Sequence, residues 1–356
     1  MEDTTRPDED GFQALACSEG GASVLEQRSP QAPGPGEVLV SLRVCGLCGT
    51  DVFKLAAANQ PPGTVLGHEV VAVVEECGPG VEGFSRGQRV VVAHHVSCGE
   101  CTYCRTGSET MCSTFGKNLL SPGGFSEKII VRETAVHSAM RVIPDTMSDE
   151  TAVFLEPAAC VLRGVRRSGI AAGGSALVLG GGSMGLLHLL VLKAAFPSAR
   201  VGIVELLKER RQLAGALGAD FACEPAGAKA AVDSISSGEG VDAVFDTAGG
   251  RGALESCLEL GRRGSTVVLF AHAEAGEQAG FELNRLFREE RRVVGSYSGS
   301  VKDQAAAWEL MLSGALDASV LVSARLGLDH FDKALELVCS RQALKVLMEP
   351  SKGEVK

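Results

Sequence analysis

A glycine-rich turn between an apolar strand and an apolar helix constrains the fold more than any other feature. Residues 175–195 read SALVLGGGSMGLLHLLVLKAA, which is typical of a buried strand, a turn and a buried helix. Strand-like and helix-like segments then alternate through ARVGIVE, LLKERRQLAGALGA, VDAVFD, RGALESCLELG and STVVLF. Such alternation with short connections is typical of a parallel sheet with helices on both faces. We therefore predict a doubly wound α/β domain of the Rossmann type over residues 161–300.

The amino-terminal half differs in character, because short β-rich runs are separated by glycine and proline. These runs lie at 36–44, 70–76, 88–93 and 128–131. They predict a β-rich domain over residues 12–160. With 356 residues, the chain is longer than one core usually serves, which favours two domains.

The carboxyl-terminal residues 301–356 follow the alternating region without continuing its pattern. They contain helix-like segments near 304–313 and 331–340, followed by the strand-like KVLM. We expect this tail to rejoin the first domain.

Charge and composition exclude several classes of partner. The net charge is −10, which disfavours nucleic acid and anionic membrane surfaces as partners. No apolar run is long enough for a membrane span. The start, MEDTTRPDED, lacks the basic and apolar regions of a secretory signal, so we expect a cytoplasmic protein with a disordered tail at residues 1–11. In a reducing compartment the 12 cysteines are expected to be thiols or metal ligands.

Four of those cysteines lie within one loop, CGECTYCRTGSETMC. Cys98, Cys101, Cys104 and Cys112 are separated by two, two and seven residues. Four thiolates this close can surround one tetrahedral Zn²⁺, and the short gaps allow backbone amides to turn toward the sulfurs. Disulfides would suit the expected compartment poorly, and an iron–sulfur cluster usually has other spacings. Because all four ligands are cysteine, we predict a closed, structural zinc site.

The glycine turn carries the pattern G-x-G-x-x-G at Gly180, Gly182 and Gly185. Between a strand and a helix, this pattern is typical of dinucleotide binding, with the pyrophosphate at the helix N-terminus. Glu205 ends the next strand, where a carboxylate binds the adenosine ribose and repels a 2′-phosphate, so we predict NAD over NADP. Arg210 and Arg211 lie nearby and could favour NADP. The predicted cofactor-binding residues in this region are Gly180, Gly182, Ser183, Met184, Gly185, Glu205 and Thr247.

Several dispersed metal-ligand residues are individually weak signals. Cys48 lies in CGLCGTD, His68 and Glu69 lie in LGHEVV, and Glu156 lies in FLEPAACVLRG. A single cysteine or histidine is more often a core or surface residue than a ligand. These residues gain significance from one another and from the four-cysteine loop.

Taken together, these motifs resemble the zinc-containing medium-chain alcohol dehydrogenases, and most closely their sorbitol and threonine dehydrogenase branch. The resemblance covers nearly everything after about residue 14. It includes PGPGEVLV, CGLCGTD, GHE, GPGVEGFSRGQRVVV, the four-cysteine loop, PGGFSE and LEPAACVLRG. It implies a GroES-like catalytic domain followed by the Rossmann domain. It also implies that Arg210 lies against the adenosine end of the cofactor, which is common in the family even among NAD enzymes.

The resemblance also implies a catalytic zinc with an open position for substrate. Cys48 and His68 would be two ligands, and Glu69 or Glu156 would be the third. Two alternatives stay open for the other glutamate: it acts through water, or it exchanges with the ligand as substrate binds. In this branch, a glutamate at the position of Glu156 stands where other alcohol dehydrogenases have a second cysteine. Asp51 is expected to orient the imidazole of His68.

Zinc would act as a Lewis acid on the substrate oxygen, and Thr50 would accept the proton of the alcohol. Many relatives carry histidine five residues after the ligand cysteine and use it to pass that proton outward. Here the position is Phe53. The proton would leave through water and ribose hydroxyls, or through another histidine such as His94 or His95.

The resulting prediction is a zinc-dependent oxidoreductase that transfers a hydride between a secondary alcohol and NAD. The expected substrate is a small polyol, sugar-derived alcohol, cyclitol or amino alcohol, and the expected assembly is a homodimer or homotetramer. One alternative is a carbonyl reductase that uses NADPH. Another is a non-catalytic regulatory relative that binds zinc and NAD, although the intact ligand set disfavours it.

Overall fold

The structure is a computed structural model that describes residues 11–273 and 276–351. The chain divides into two compact units. One comprises the residues up to Glu156 together with those from Ser319 onward, and the other is Pro157–Ala318. The disordered tail predicted at residues 1–11 lies, except for Gly11, outside the described residues.

The first unit is built on β-sheets, as its apolar runs predict. Its strands are β1 (Phe12–Cys17), β2 (Ser23–Arg28), β3 (Val38–Gly46), β4 (Glu69–Cys77), β5 (Arg89–Ala93), β6 (Leu120–Ser121), β7 (Lys128–Val131), β8 (Met140–Val142), β15 (Val322–Gly327) and β16 (Lys345–Glu349). The main sheet has the strand order β15-β16-β3-β4-β5-β8, with β7 also paired to β3 and β6 paired to β7, while β1 and β2 form a separate hairpin.

Short helices fill the connections of this unit. They are α1 (Gly49–Ala56), α2 (Thr102–Arg105), α3 (Glu133–Ser138), α4 (Asp149–Ala152) and α12 (Phe331–Cys339). The core lies between the sheet and helices α1, α3 and α12, and it includes Val40, Val70, Val90 and Phe125. The chain passes into the second unit inside α5 (Leu155–Ser168).

The second unit contains a six-stranded sheet. Its strands are β9 (Ser175–Leu179), β10 (Arg200–Val204), β11 (Phe221–Cys223), β12 (Val241–Asp246), β13 (Gly261–Leu269) and β14 (Arg292–Gly295). The helices that follow α5 are α6 (Ser183–Ala195), α7 (Lys208–Ala216), α8 (Ala228–Ser236), α9 (Arg251–Leu260), α10 (Leu283–Arg288) and α11 (Val301–Leu312). The strand order is β11-β10-β9-β12-β13-β14, and every pair is parallel, which is the arrangement of a Rossmann domain.

The division between the units differs from the sequence expectation at both ends. The crossing lies at Glu156 instead of residue 160, and residues 301–318 belong to the second unit. Helix α11 stays there because Asp303 pairs with Arg163 at 3.4 Å and Arg166 at 2.9 Å. The buried Trp308 adds apolar contact area. The return to the first unit therefore begins at Ser319.

Within the described ranges, every helix is too short or too polar to cross a bilayer.

A buried histidine lies between α6 and the sheet of the second unit. The Nδ1 atom of His188 is 2.7 Å from the carbonyl oxygen of Met184, and its ring packs against Phe245 and Phe270. Its Nε2 atom has no hydrogen-bond partner in the described part of the chain. Burial among apolar groups lowers the pKa of His188 to about 4.

This burial predicts a specific acid sensitivity. The folded state binds a proton at His188 less readily than the unfolded state. The folded state therefore keeps its full stability with respect to this histidine above about pH 6.5 and loses stability as the pH falls toward 4. Between pH 7.5 and pH 5, the free energy of unfolding of the natural protein should fall by about 2 kcal/mol more than that of His188→Leu. Urea unfolding followed by the fluorescence of Trp308, the only tryptophan, measures the difference.

The control is His137→Leu, which removes an exposed histidine on α3 and should keep the acid sensitivity of the natural protein. Equal acid sensitivity in His188→Leu and the natural protein would contradict the assignment.

Candidate functional site

Three predicted ligands meet where α1 and β4 begin. Cys48 is the residue that caps the N-terminus of α1, while His68 and Glu69 lie at the start of β4. Their ligand atoms all lie within 4.8 Å of one another. A thiol, an imidazole and a carboxylate form a donor set typical of zinc.

Asp51 connects these segments from within the first unit. Its carboxylate is fully buried, accepts hydrogen bonds from the backbone N–H groups of Cys48 at 3.1 Å and Gly67 at 3.3 Å, and lies 3.3 Å from Nδ1 of His68. Burial opposes ionisation, but His68 and the two N–H donors hold the pKa of Asp51 below its usual value. The carboxylate thereby leaves Nε2 of His68 as the nitrogen available to a metal.

Lys345 is a charged residue that sequence reasoning missed. Its ammonium group lies 2.8 and 2.7 Å from the two carboxylate oxygens of Glu69, and both side chains are almost fully buried. A substituent on Gly46 would collide with the same carboxylate, so glycine leaves room for it. The only signal in the sequence was a lysine at the start of the apolar strand KVLM, where burial requires a charged partner.

The remaining predicted catalytic residues are Glu156 and Thr50. Glu156 is the second residue of α5 and lies outside the three-residue cluster, but its charge helps to raise the pKa of Lys345. Thr50 lies in the first turn of α1, where its backbone N–H donates to the sulfur of Cys48 at 3.5 Å. Phe53, in the position where many relatives have histidine, exposes 48% of its surface.

Two further histidines follow β5 and extend from the cluster. The ring of His94 lies 4.8 Å from that of His68, and the ring of His95 lies 3.5 Å from that of His94, measured between centroids. Burial, and then the charge of His68, lower the pKa of both imidazoles, to about 4 for His95. His95 also packs against Phe115.

The four-cysteine loop folds into a compact lobe with Phe115 in its centre. The sulfurs of Cys98 and Cys104 are 3.9 Å apart, those of Cys101 and Cys104 are 3.5 Å apart, and those of Cys98 and Cys112 are 3.5 Å apart. Tetrahedral Zn–S bonds of about 2.3 Å place two sulfurs about 3.8 Å apart. The sulfurs therefore fit a single zinc ion, and all four residues are free thiols.

Backbone amides in the lobe point toward the sulfurs. The N–H of Cys98 donates to Cys112, and the N–H of Cys101 donates to Cys98, each at 3.4 Å. The amide of Cys98, together with Thr114, lowers the pKa of the Cys112 thiol to about 5. These donors stabilise thiolate, which is the form of cysteine that binds a metal.

The glycine turn of the second unit requires its glycines at two points. Gly180 has a φ of +100°, a conformation that L side chains rarely adopt. A Cβ atom on Gly185 would lie 1.9 Å from the carbonyl oxygen of Gly180. Gly182 caps α6, while Ser183 and Met184 begin it, so free N–H groups face the turn as anion binding requires.

Glu205 follows β10 and folds over this turn. Its carboxylate accepts hydrogen bonds from the N–H of Gly181 at 2.6 Å and of Leu207 at 2.8 Å. A guanidinium nitrogen of Arg210 lies 3.7 Å from where a Cβ atom of Gly182 would be. Glu205, which is predicted to contact the ribose, and Arg210 therefore both lie at the turn.

Arg211 and Thr247 have largely structural contacts. The guanidinium of Arg211 donates to the carbonyl oxygens of Glu205 and Leu206 and pairs with Glu224 at 2.7 Å. The hydroxyl of Thr247 donates to the carbonyl oxygen of Leu179 at 2.7 Å. Thr247 thus holds the start of the glycine turn, and its predicted contact with cofactor stays a prediction.

Comparison with known proteins agrees with both units. Residues 34–144 match the family described as alcohol dehydrogenase GroES-like domain. Residues 183–313 match the family described as zinc-binding dehydrogenase.

Relatives align over almost the whole chain. A sorbitol dehydrogenase from Halalkalibacterium halodurans is 28% identical over 93% of this chain and 96% of its own length. An L-threonine 3-dehydrogenase from Pyrococcus furiosus is 31% identical over 92% of this chain and 95% of its own. A solved structure from Sinorhizobium meliloti 1021, provisionally described as a zinc-binding dehydrogenase bound to NADP, is 29% identical, with a TM-score of 0.85 over 96% of this chain and 100% of the other.

The identity and coverage of these relatives agree with the two domain families and with the architecture of both units, so the chain belongs to the zinc-containing medium-chain alcohol dehydrogenase family.

Proposed function

We propose that this zinc-dependent alcohol oxidoreductase transfers a hydride between a small secondary alcohol and NAD. The observation that carries the proposal is the convergence of Cys48, His68 and Glu69 in the GroES-like unit. The glycine turn and Glu205 in the Rossmann unit supply the second requirement, a dinucleotide site. Polyols, sugar-derived alcohols, cyclitols and amino alcohols are the proposed substrate class.

The residues present fit a catalytic zinc and a separate structural zinc. A bound zinc supplies Lewis acidity to an alcohol oxygen and NAD accepts a hydride. Three protein donors with a fourth position open suit a catalytic metal, whereas four cysteines close the structural site. We therefore propose two zinc ions per chain.

For the third catalytic ligand, the geometry favours Glu69, which lies with Cys48 and His68. The ammonium of Lys345 compensates part of the negative charge of this set and fixes the orientation of the carboxylate. Glu156 stays the alternative third ligand, and the two routes by which both glutamates would serve the metal, action of one through water or exchange as substrate binds, stay predictions.

Thr50 is the proposed first acceptor of the alcohol proton. Its hydroxyl makes no hydrogen bond with the protein over the described ranges, while its backbone N–H holds the sulfur of Cys48. A free hydroxyl two residues from a ligand can accept a proton and pass one on. Because Phe53 replaces the histidine that many relatives use, the proton must leave Thr50 by another route. Routes through His94 or His95, or through water and ribose hydroxyls, stay predictions.

NAD is favoured over NADP because the carboxylate of Glu205 lies at the turn, where it would repel a 2′-phosphate. Arg211 is engaged by carbonyl oxygens and Glu224, so it is poorly placed to bind such a phosphate. Arg210 and the NADP-bound structural relative support the competing reading of a carbonyl reductase that uses NADPH. The expected homodimer or homotetramer and the cytoplasmic location stay predictions.

Metal analysis tests the two zinc sites separately. The purified protein should contain two zinc ions per chain, and Cys104→Ser should lose the structural ion, because three thiolates no longer close the site. Cys339→Ser, which changes an exposed cysteine outside both sites, should retain two. One zinc per chain in the natural protein, without binding of NAD, would favour the non-catalytic alternative.

Removal of the Thr50 hydroxyl tests the proton transfer. Thr50→Val keeps the backbone donor to Cys48 and the side-chain shape, so zinc content should not change. Turnover should fall by about 10²- to 10⁴-fold, and Thr50→Ser should recover much of it. Steady-state kinetics at matched zinc content provide the measurement, and turnover close to the natural value in Thr50→Val would remove Thr50 from the mechanism.

Substitution of Glu205 tests the preference for NAD over NADP. The natural protein should have a higher kcat/KM with NAD than with NADP, and Glu205→Ser should reduce that preference at least about tenfold by removing the repulsion. Glu209→Ala, which removes an acid on the exposed face of α7, should leave the preference unchanged. A lower KM for NADP than for NAD in the natural protein would favour the NADPH reading.

A further inference from the structure

Lys345 brings a positive charge into the interior of the first unit, directly beside the candidate metal ligands. Its side chain is 3% exposed, and its ammonium group contacts both carboxylate oxygens of Glu69, which is itself fully buried. The same ammonium lies 5.7 Å from the centre of the Phe154 ring. Burial opposes its charge, but the negative charges of Glu69 and Cys48 hold the pKa of Lys345 above its usual value. Lys345 is therefore a permanent cation at neutral pH.

The backbone keeps this ammonium group in place. Leu47, which precedes the ligand cysteine, donates its N–H to the carbonyl oxygen of Val346 at 2.9 Å, so β16 is fixed beside the end of β3. On the other side of β3, Gly46 pairs with Glu69. Lys345 and Glu69 therefore approach each other from two strands that are both paired with the segment leading to the metal-binding set.

The carboxylate of Glu69 would have to bind two cations at once. Glu69 is a proposed metal ligand together with Cys48 and His68, yet each of its oxygens already accepts a hydrogen bond from the ammonium of Lys345. An ionised carboxylate has acceptor positions for both partners. Two cations on one carboxylate nevertheless repel each other, and this repulsion is poorly screened in a buried site. Each cation therefore weakens the binding of the other to Glu69.

We propose that Lys345 competes with the catalytic metal ion for the carboxylate of Glu69 and thereby makes Glu69 a weakly held, displaceable ligand. The inference rests on the proposed function, because it requires the metal site at Cys48, His68 and Glu69. A weakly held ligand moves aside when the oxygen of an alcohol binds, so the competition keeps the metal accessible to substrate. Lys345 is thus a positioning residue, since it acts through Glu69.

A purely structural role for the ion pair makes a different prediction. Removal of one partner of a buried ion pair destabilises a protein, because the other charge stays buried and unpaired. If that were the whole role of Lys345, its loss would destabilise the metal-free and the zinc-loaded protein equally and would not slow the release of zinc. Competition predicts instead that zinc becomes the partner of Glu69 and is held more firmly.

The rate at which zinc leaves the full-length, zinc-loaded protein tests the competition. The chelator pyridylazoresorcinol reports the release by its colour, and the phase that is missing in Cys48→Ser identifies the catalytic ion. This phase should be at least about tenfold slower in Lys345→Met, because a like charge beside the metal is removed. Lys345→Gln, which keeps a hydrogen-bond donor for Glu69, should also be slower and carries the test if Lys345→Met does not fold. Lys333→Met, which removes an exposed lysine of α12, should release zinc at the natural rate.

Two further measurements show whether the effect passes through the carboxylate. In the Glu69→Gln background, the slowing caused by Lys345→Met should be at least about threefold smaller, since the group for which the two cations compete is gone. Removal of zinc should lower the melting temperature of Lys345→Met at least about 5 °C more than that of the natural protein, because Glu69 is then left buried without a cation.

The outcomes separate this inference from the proposed function. Release of the catalytic zinc at the natural rate in both Lys345→Met and Lys345→Gln would overturn the competition. Equal slowing with and without the carboxylate of Glu69 would overturn it as well, and in either case oxidation of a secondary alcohol by the natural protein would leave the proposed function intact. A natural protein that holds no catalytic zinc and oxidises no secondary alcohol would overturn both.

Discussion

The buried carboxylate of Asp51 joins the chain segments that form the metal-binding set. It holds the backbone of Cys48 at the start of α1, the backbone of Gly67 before β4, and the imidazole of His68. The pairing of Gly46 with Glu69 between β3 and β4 brings the two segments together, and the contacts of Asp51 fix how the backbone of Cys48 and the ring of His68 are oriented there. The charge of Asp51 is tolerated in the interior because all three groups that it contacts donate hydrogen bonds to it. The same three contacts hold the ligand segments in position.

A second buried charge pair completes the same site. Lys345 returns from the carboxyl-terminal part of the chain, on β16, to bind Glu69 at the beginning of β4. The buried carboxylate of Glu69 needs a positive charge nearby. The lysine that begins the otherwise apolar strand KVLM supplies it. The late return of the chain at Ser319 serves the metal site as well as the sheet.

The two units use different means to place their functional groups. The Rossmann unit relies on backbone geometry, since Gly180 and Gly185 allow the turn and Thr247 and Glu205 hold it by hydrogen bonds. The GroES-like unit relies on side chains from distant positions in the chain.

The sequence alone determined the parallel Rossmann sheet, the β-rich first unit and the four-cysteine lobe, because each depends on local periodicity or short spacing. The pattern at 175–195 predicts β9, the turn and α6, and the spacing of Cys98 to Cys112 already restricts four sulfurs to one small volume. Only the tertiary structure decided that Glu69 lies with Cys48 and His68 while Glu156 lies outside, that Lys345 neutralises Glu69, and that α11 stays with the second unit through Asp303. These features are contacts between residues far apart in the chain, and local patterns carry no information about which distant groups meet.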